Sequence, residues 1–312
     1  MDDSKQIALV EVGPRDGLQA EDSPVSTQSK LDFIACLIQA GMRRIQATSF
    51  VHPRRVPQMA DAEQLLAALP HLPDVEYSAL VLNRTGLKRA LSTRVQCIEI
   101  SISASTTHSQ KNTGMSRHKA LEEARDMIKM AKDRDFAVRA SVQCAFGCVY
   151  EGEIHHEVVG NLAEDLIQAG AKSLALADTT GMGHPETICR AVEPIRSRFP
   201  QVQLALHLHD TLGLGLLNLF AALQSGVRCF DVSCGGLGGC PFVPGAAGNI
   251  ATEDTAFVLD KLGYTTGVDW SQAARCTLKM EELLGRRLPA KLRPEGMPKG
   301  LWKWCLASRQ NM

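Results

Sequence analysis

Short apolar runs with the composition of buried strands recur along the chain, separated by longer stretches whose apolar residues fall three and four apart. The strand-like runs are IALVEVG (7–13), RRIQATSF (43–50), VEYSALVL (75–82), QCIEISIS (96–103), AVRASVQCA (137–145), SLALAD (173–178), LALHLHD (204–210) and CFDVSC (229–234). Between them lie amphipathic segments such as QSKLDFIACLIQAG, HKALEEARDMIKMAKDRD, VVGNLAEDLIQAGA, ETICRAVEPIRSRF and GLLNLFAALQSG, often closed by glycine; the connection around NRTGLKRALSTR is the shortest. Eight strands alternating with helices predict an α/β fold, the (β/α)8 TIM barrel, and the apolar strands fit a parallel sheet covered on both sides. A doubly wound open sheet is the alternative.

After the eighth run, CGGLGGCPFVPGAAGN is too long for a minimal turn and reads as a mobile loop that enters a helix at ATEDTAFVLDKLG. Residues 1–285 are therefore assigned to one barrel domain. The remainder, 286–312, breaks the pattern with prolines, lysines and two tryptophans. It is expected as an extra C-terminal helical or irregular segment, packed on the barrel or partly ordered.

Composition narrows the function classes. The hydrophobic fraction of 45% and charged fraction of 22% are those of an ordinary soluble globular protein. Lys+Arg and Asp+Glu both number 34, so no global basic field points to nucleic acid or membrane. The N-terminus lacks the features of a signal peptide and no apolar run approaches about 20 residues, which reads as a cytoplasmic protein. The ten cysteines are scattered through apolar runs, as reduced thiols would be. Cys144 and Cys148 have three residues between them and no partner pair at zinc-finger spacing, so a structural zinc site is not expected there.

In barrels of this kind the chemistry sits at the C-terminal ends of strands. His207 and His209 end the seventh run, and the period of two points both to one side, within reach of a single ion on the barrel axis. The pair fits a metal site and structural hydrogen bonding equally well. Arg15 and Asp16 follow the first strand, where they can form a plain ion pair; Asp16 can also meet the histidines across the mouth. That mixed oxygen and nitrogen set suits Mg2+ or Mn2+ with positions open for a chelating substrate. Asn249 adds an oxygen, unless it caps the helix that follows.

The segments EVGPRDGLQ, SFVHPRRVPQMAD, CAFGCVYEG, LADTTGMGHP, HLHDT and GLGGCPFVPGAAGNIATED, in this order from about residue 7 to 265, resemble the successive motifs of the 3-hydroxy-3-methylglutaryl-CoA lyase family, within the DRE-TIM metallolyase superfamily. The resemblance implies a (β/α)8 barrel that binds a divalent cation, Mg2+ or Mn2+, and cleaves a 3-hydroxy-3-carboxymethyl acyl-CoA to acetyl-CoA and a 3-keto acid such as acetoacetate. It implies Asp16, His207, His209 and Asn249 as metal ligands and Arg15 as the catalytic arginine. Asp178 or a histidine of the pair, His207 included, would be the base, and Cys240 the loop cysteine that reprotonates the enolate. A homodimer is plausible on the same resemblance. The tail beyond about residue 285 lies outside it.

One position departs from the pattern. The superfamily's glutamate belongs on the second strand just before TSF, where this chain carries Gln46. A neutral amide is expected to leave Arg15 freer and to change the charge at the metal. This opens the alternative of a related acyl-CoA with a different C3 substituent; a superfamily aldolase or Claisen synthase is a further one, which the cysteine loop disfavours. A zinc hydrolase would carry H-x-H on its first strand, and a non-catalytic scaffold would not need the full ligand set. Arg54, Arg55, His108, Lys111 and Asn112 at strand ends are candidates for CoA phosphates or the substrate acid; Lys299 and Lys303 have no motif behind them.

Overall fold

The eight apolar runs form eight parallel strands, each hydrogen-bonded to the next in chain order, with β8 closing on β1. The computed structural model describes residues 5–239, 248–295 and 297–307. The strands are β1 (Ala8–Glu11), β2 (Arg44–Ser49), β3 (Glu76–Val81), β4 (Cys97–Ser103), β5 (Ala137–Gln143), β6 (Ser173–Ala177), β7 (Gln203–His207) and β8 (Cys229–Val232). Around them lie α1 (Thr27–Gln39), α2 (Ala62–Ala68), α3 (Arg84–Ala90), α4 (Thr106–Thr113), α5 (Arg117–Lys132), α6 (His156–Ala169), α7 (Pro185–Arg198), α8 (Gly215–Gln224), α9 (Thr252–Lys261), α10 (Trp270–Leu284) and α11 (Lys299–Ala307). The expected (β/α)8 barrel is thus the observed fold.

Local chemistry explains the helix starts. Ser26, Asn83, Ser105 and Ser116 each accept an N–H of the first turn with their side chains, satisfying donors that a helix leaves open. Asp210 Oδ1 accepts from Gly215 N at 2.8 Å where α8 begins. The apolar faces of the helices pack on the sheet in one large cluster, while Val10, Val12, Ala175, Ala205 and Cys229 form a separate small one. Two helices were not foreseen: α4 is short and mostly polar, and α10 lies past the last strand, where the βα alternation had run out.

The chain after α10 is joined to the barrel. Leu288, Ala290 and Leu292 are buried, and the backbone N–H groups of Lys291 and Leu292 both donate to Asp254, at 2.8 Å each. On α11, Cys305 is buried and Trp302 meets Trp270 edge to face with ring centroids 5.6 Å apart, a contact worth about 1 kcal/mol beyond its buried area. Lys299 and Lys303 are exposed.

The thiol expectation needs correcting at one pair: Cys36 of α1 and Cys276 of α10 are disulfide-bonded, with Cα atoms 5.9 Å apart. The two helices pack side by side, a proximity that a separation of 240 residues in sequence conceals. Cys144 and Cys148 are both buried free thiols. Among the described residues no helix is long and apolar enough to cross a membrane.

Candidate active site

Leaving β1, the chain turns through Gly13–Gly17 in one wide helical turn, which delivers Arg15 and Asp16 to the barrel mouth. The turn passes very close to its neighbours: a Cβ on Gly13 would lie 2.5 Å from Glu11 Oε1, and one on Gly17 2.7 Å from Leu237 Cβ. Glu11 clamps the turn from below. Its Oε1 accepts from Gly13 N and Cys234 N, both at 2.9 Å, and its Oε2 from Thr252 Oγ1 at 2.6 Å. Beside it, Glu253 accepts from Gly235 N at 3.0 Å and Thr277 Oγ1 at 2.5 Å. Burial pushes these two carboxyls up, Glu11 to about 7 and Glu253 to about 8, against the pull of their donors.

His207 is the last residue of β7, and His209 follows two residues on; their Nε2 atoms are turned towards each other, 3.1 Å apart. Asp16 Oδ2 lies 3.7 Å from His207 Nε2 and 3.8 Å from His209 Nε2. All three residues offer a ligand atom within 4.8 Å of the others. Burial alone would raise the Asp16 carboxyl, but Arg15 and the two histidines more than offset it and hold Asp16 well below the usual carboxylate range. Asn249 pairs backbone to backbone with His209, and its Nδ2 donates to Asp16 Oδ2 at 2.9 Å and Leu237 O at 3.0 Å. It does not cap α9, whose cap position is Ala251. Its Oδ1 is buried with no partner among the described residues.

The donor set therefore fits a hard divalent cation: one carboxylate, two imidazole nitrogens facing one point, and a buried amide oxygen without a partner among the described residues. His207 is further fixed by Asp231, whose Oδ2 is 3.1 Å from Nδ1. Burial alone would lower the His207 imidazole; Asp231 and Asp16 reverse this and raise it.

Three charged residues inside the barrel, Glu99, Arg139 and Asp231, lie within strands rather than at their ends. Arg139 on β5 contacts both Asp231 oxygens, at 2.7 and 2.8 Å, and lies 3.2 Å from Glu99 Oε2 on β4. Glu99 Oε2 accepts from Gln46 Nε2 at 2.9 Å, and Gln46 Oε1 accepts from Arg15 Nε. Arg15 also pairs with Asp16. The polar contacts thus form a ring: Asp16, Arg15, Gln46, Glu99, Arg139, Asp231, His207. All but Asp16 are buried. Arg15 is consequently not freed by the amide at position 46, contrary to expectation, because Gln46 still presents an oxygen to it and Asp16 holds its other side. The missed signal was a single charge in each of three otherwise apolar strands, QCIEISIS, AVRASV and CFDV, where only an inward partner compensates it.

Asp178 follows β6. Its Oδ1 accepts from Gly183 N at 3.0 Å and its Oδ2 is buried with no partner among the described residues. Burial raises its carboxyl above the ordinary aspartate value. Cys240 lies outside the described residues, which resume at Gly248.

A cavity of about 110 Å³ opens between Arg15, Asp16, His207 and His209 on one side and His108, Asn112 and Gln143 on the other. Burial pushes the His108 imidazole down to about 4, so it is neutral at physiological pH. Lys111 stands 4.8 Å over the Tyr150 ring, and Arg54 and Arg55 are exposed on the loop after β2.

Comparison with known proteins agrees with this layout. The sequence model of the HMGL-like family matches residues 6–278. The chain belongs to that family. It is 40% identical over 281 residues to a hydroxymethylglutaryl-CoA lyase of Pseudomonas mevalonii, covering 89% of this chain and 93% of the relative. A second relative, from Pseudomonas aeruginosa and named 3-hydroxy-3-isohexenylglutaryl-CoA/hydroxy-methylglutaryl-CoA lyase, is 37% identical over 282 residues, covering 90% of this chain and 94% of its own. Among solved structures, an HMG-CoA lyase from Acinetobacter baumannii in complex with coenzyme A and 3-methylmalate superposes with a TM-score of 0.90 at 35% identity, covering 96% of this chain and 99% of that one. The family read from the successive strand-end motifs is thus the family found, and these relatives are carbon–carbon lyases.

Proposed function

We propose that the protein is a divalent-cation-dependent lyase that cleaves a 3-hydroxy-3-methylglutaryl-CoA-like thioester to acetyl-CoA and a 3-keto acid such as acetoacetate. The observation that carries this is the convergence of Asp16, His207 and His209 on one point beside buried Arg15, at the barrel mouth. Asp16, His207, His209 and Asn249 would hold the cation, Mg2+ or Mn2+. Bound there, it would polarise the substrate's tertiary hydroxyl and free carboxylate and orient the bond to be broken.

The side chains divide the remaining tasks. Asp178 is the base: its Oδ2, buried with no partner among the described residues, and its raised carboxyl suit a proton acceptor. His207 does not fit that role, because Asp231 occupies Nδ1 and Nε2 faces the ligand cluster. The alcohol proton passes to Asp178 as the C2–C3 bond breaks, and its electron pair moves into the thioester enolate. Arg15, permanently charged, donates to the enolate oxygen. Cys240 is the donor that returns a proton to carbon, yielding acetyl-CoA. Arg54, Arg55 and Lys111 are the cations available to CoA phosphates.

The name of the Pseudomonas aeruginosa relative includes a longer C3 branch, which favours keeping a second reading, a lyase for an acyl-CoA with another C3 substituent. A panel of 3-hydroxy-3-carboxymethyl acyl-CoAs with Mg2+ or Mn2+, assayed for acetyl-CoA, tests both. Cleavage of none of them by protein with bound Mn2+ would overturn the lyase reading.

A further inference from the structure

Gln46 stands where the superfamily carries a glutamate, and a second buried carboxylate, Glu99, touches it from the neighbouring side of the barrel. Gln46 is 1% and Glu99 5% exposed. The amide accepts from Arg15 Nε through Oε1 and donates through Nε2 to Glu99 Oε2 at 2.9 Å. An arginine can only donate and a carboxylate can only accept, so these neighbours dictate which end of the amide faces which. The same logic excludes a glutamate at 46 while Glu99 is present: two carboxylates would meet at hydrogen-bond distance, and one would have to hold a proton. A bulge immediately after Gln46 shifts the register of β2 on β3, which sets the direction of this side chain.

We propose that Glu99 is a positioning residue for the cleavage reaction. From β4 it supplies the negative charge that the superfamily pattern places on β2, and through the Gln46 amide it fixes the direction of Arg15. Positions 46 and 99 then share one carboxylate and one amide between two arginines, Arg15 and Arg139, the latter 3.2 Å from Glu99. Exchanging the two groups keeps every donor opposite an acceptor: Glu at 46 accepts from Arg15, and Gln at 99 donates to it while turning its oxygen to Arg139. The role assigned to Arg15 rests on the lyase reading; the exchange between 46 and 99 does not.

Four proteins test this: the unchanged chain, Gln46→Glu, Glu99→Gln and the double variant Q46E/E99Q. Three quantities are measured: kcat and KM for the acyl-CoA panel with Mn2+, and the urea midpoint of the cation-free proteins. Each single variant is expected to lose about 10–100-fold in kcat with KM little changed, the scale of removing a group that orients another. The double variant regains most of that turnover, together with the urea midpoint that Gln46→Glu loses. Losses that multiply in the double variant, or an unchanged kcat in Glu99→Gln, overturn the proposal. A merely structural role would lower the midpoints without rescue by the exchange. Should the unchanged protein bind Mn2+ and cleave nothing, the lyase reading falls, and with it the role in cleavage. The urea midpoints still decide the shared charge, rescue supporting it and additivity refuting it.

Discussion

Glu253→Gln should make the protein more stable at alkaline pH while changing little at acid pH. Glu253 is fully buried and takes two donors, Gly235 N and Thr277 Oγ1, with no cation among its contacts; burial pushes it to about 8 from an ordinary 4.5. A folded-state value above the unfolded one means the fold favours the protonated group. The associated stability is complete below pH 4.5 and is lost as the pH rises towards 8. At 1.36 kcal/mol per pH unit the full loss is roughly 5 kcal/mol, and roughly 3 kcal/mol has gone by pH 7. Glutamine is neutral throughout. Its oxygen can accept from Gly235 N, and Thr277 can turn its hydroxyl to accept from the amide and donate to Ala273 O, 3.4 Å away. That rearrangement costs about 1 kcal/mol. Urea unfolding of both proteins at pH 5, 7 and 8.5 should therefore give free energies within about 1 kcal/mol at pH 5 and a variant ~2–4 kcal/mol more stable at pH 8.5. A difference that does not change with pH, or a variant weaker at pH 8.5, would refute the reasoning by showing that the ionised carboxylate is well accommodated.

Other expectations concern the cation cluster and the cysteines. Asp231→Asn removes the charged partner of His207 and one of the two carboxylates against Arg139, so Mn2+ affinity, measured by calorimetry, should fall about 10–100-fold, with about 1–3 kcal/mol lost in urea unfolding from the weakened charged hydrogen bonds. Because Asp231 and Asp16 raise the His207 imidazole against the pull of burial, protons compete for Nε2 above the ordinary histidine range. Mn2+ affinity should weaken as the pH falls through neutrality, with proton release on binding; affinity that stays level between pH 8 and 6 would count against this. Thiol labelling of the denatured, unreduced chain should leave Cys36 and Cys276 unmodified, and both should react after reduction.

How far the sequence disclosed this molecule depended on whether a feature repeats or ends a strand. The barrel was readable because its eight apolar runs share one pattern, and all eight strands lie where those runs do. Arg15, Asp16, His207 and His209 were readable because they sit at strand ends, where barrel chemistry is expected. Glu99, Arg139 and Asp231 lie within strands and fell outside that filter, although a lone charge in an apolar run is itself a sign of an inward partner. The helix α4, TTHSQKNT, carries almost no apolar face and is held by its Ser105 cap. The disulfide joins helices from opposite ends of the chain, which no local pattern encodes.

The same ring alters what Gln46 implies about substrate. Read alone, an amide in place of a carboxylate means a loosened arginine and one negative charge fewer, and both would argue for altered chemistry. In the fold, Arg15 is held by Gln46 and Asp16, and Glu99 keeps a carboxylate within reach of the same amide. With neutral histidines the ring holds two arginines against three carboxylates, a net single negative charge. Glutamate at 46 beside Glu99 would have to share a proton with it, at a cost in stability and with no charge gained. Position 46 therefore says little about the C3 branch. That question belongs to the cavity wall away from the ligands, where Val51, Leu80 and Leu82 offer apolar contact while His108, Asn112 and Gln143 offer hydrogen bonds. An apolar branch can use only the first set, and a polar branch needs the second. Preference within the acyl-CoA panel should accordingly follow substitutions at these positions and be indifferent to the exchange of charge between 46 and 99.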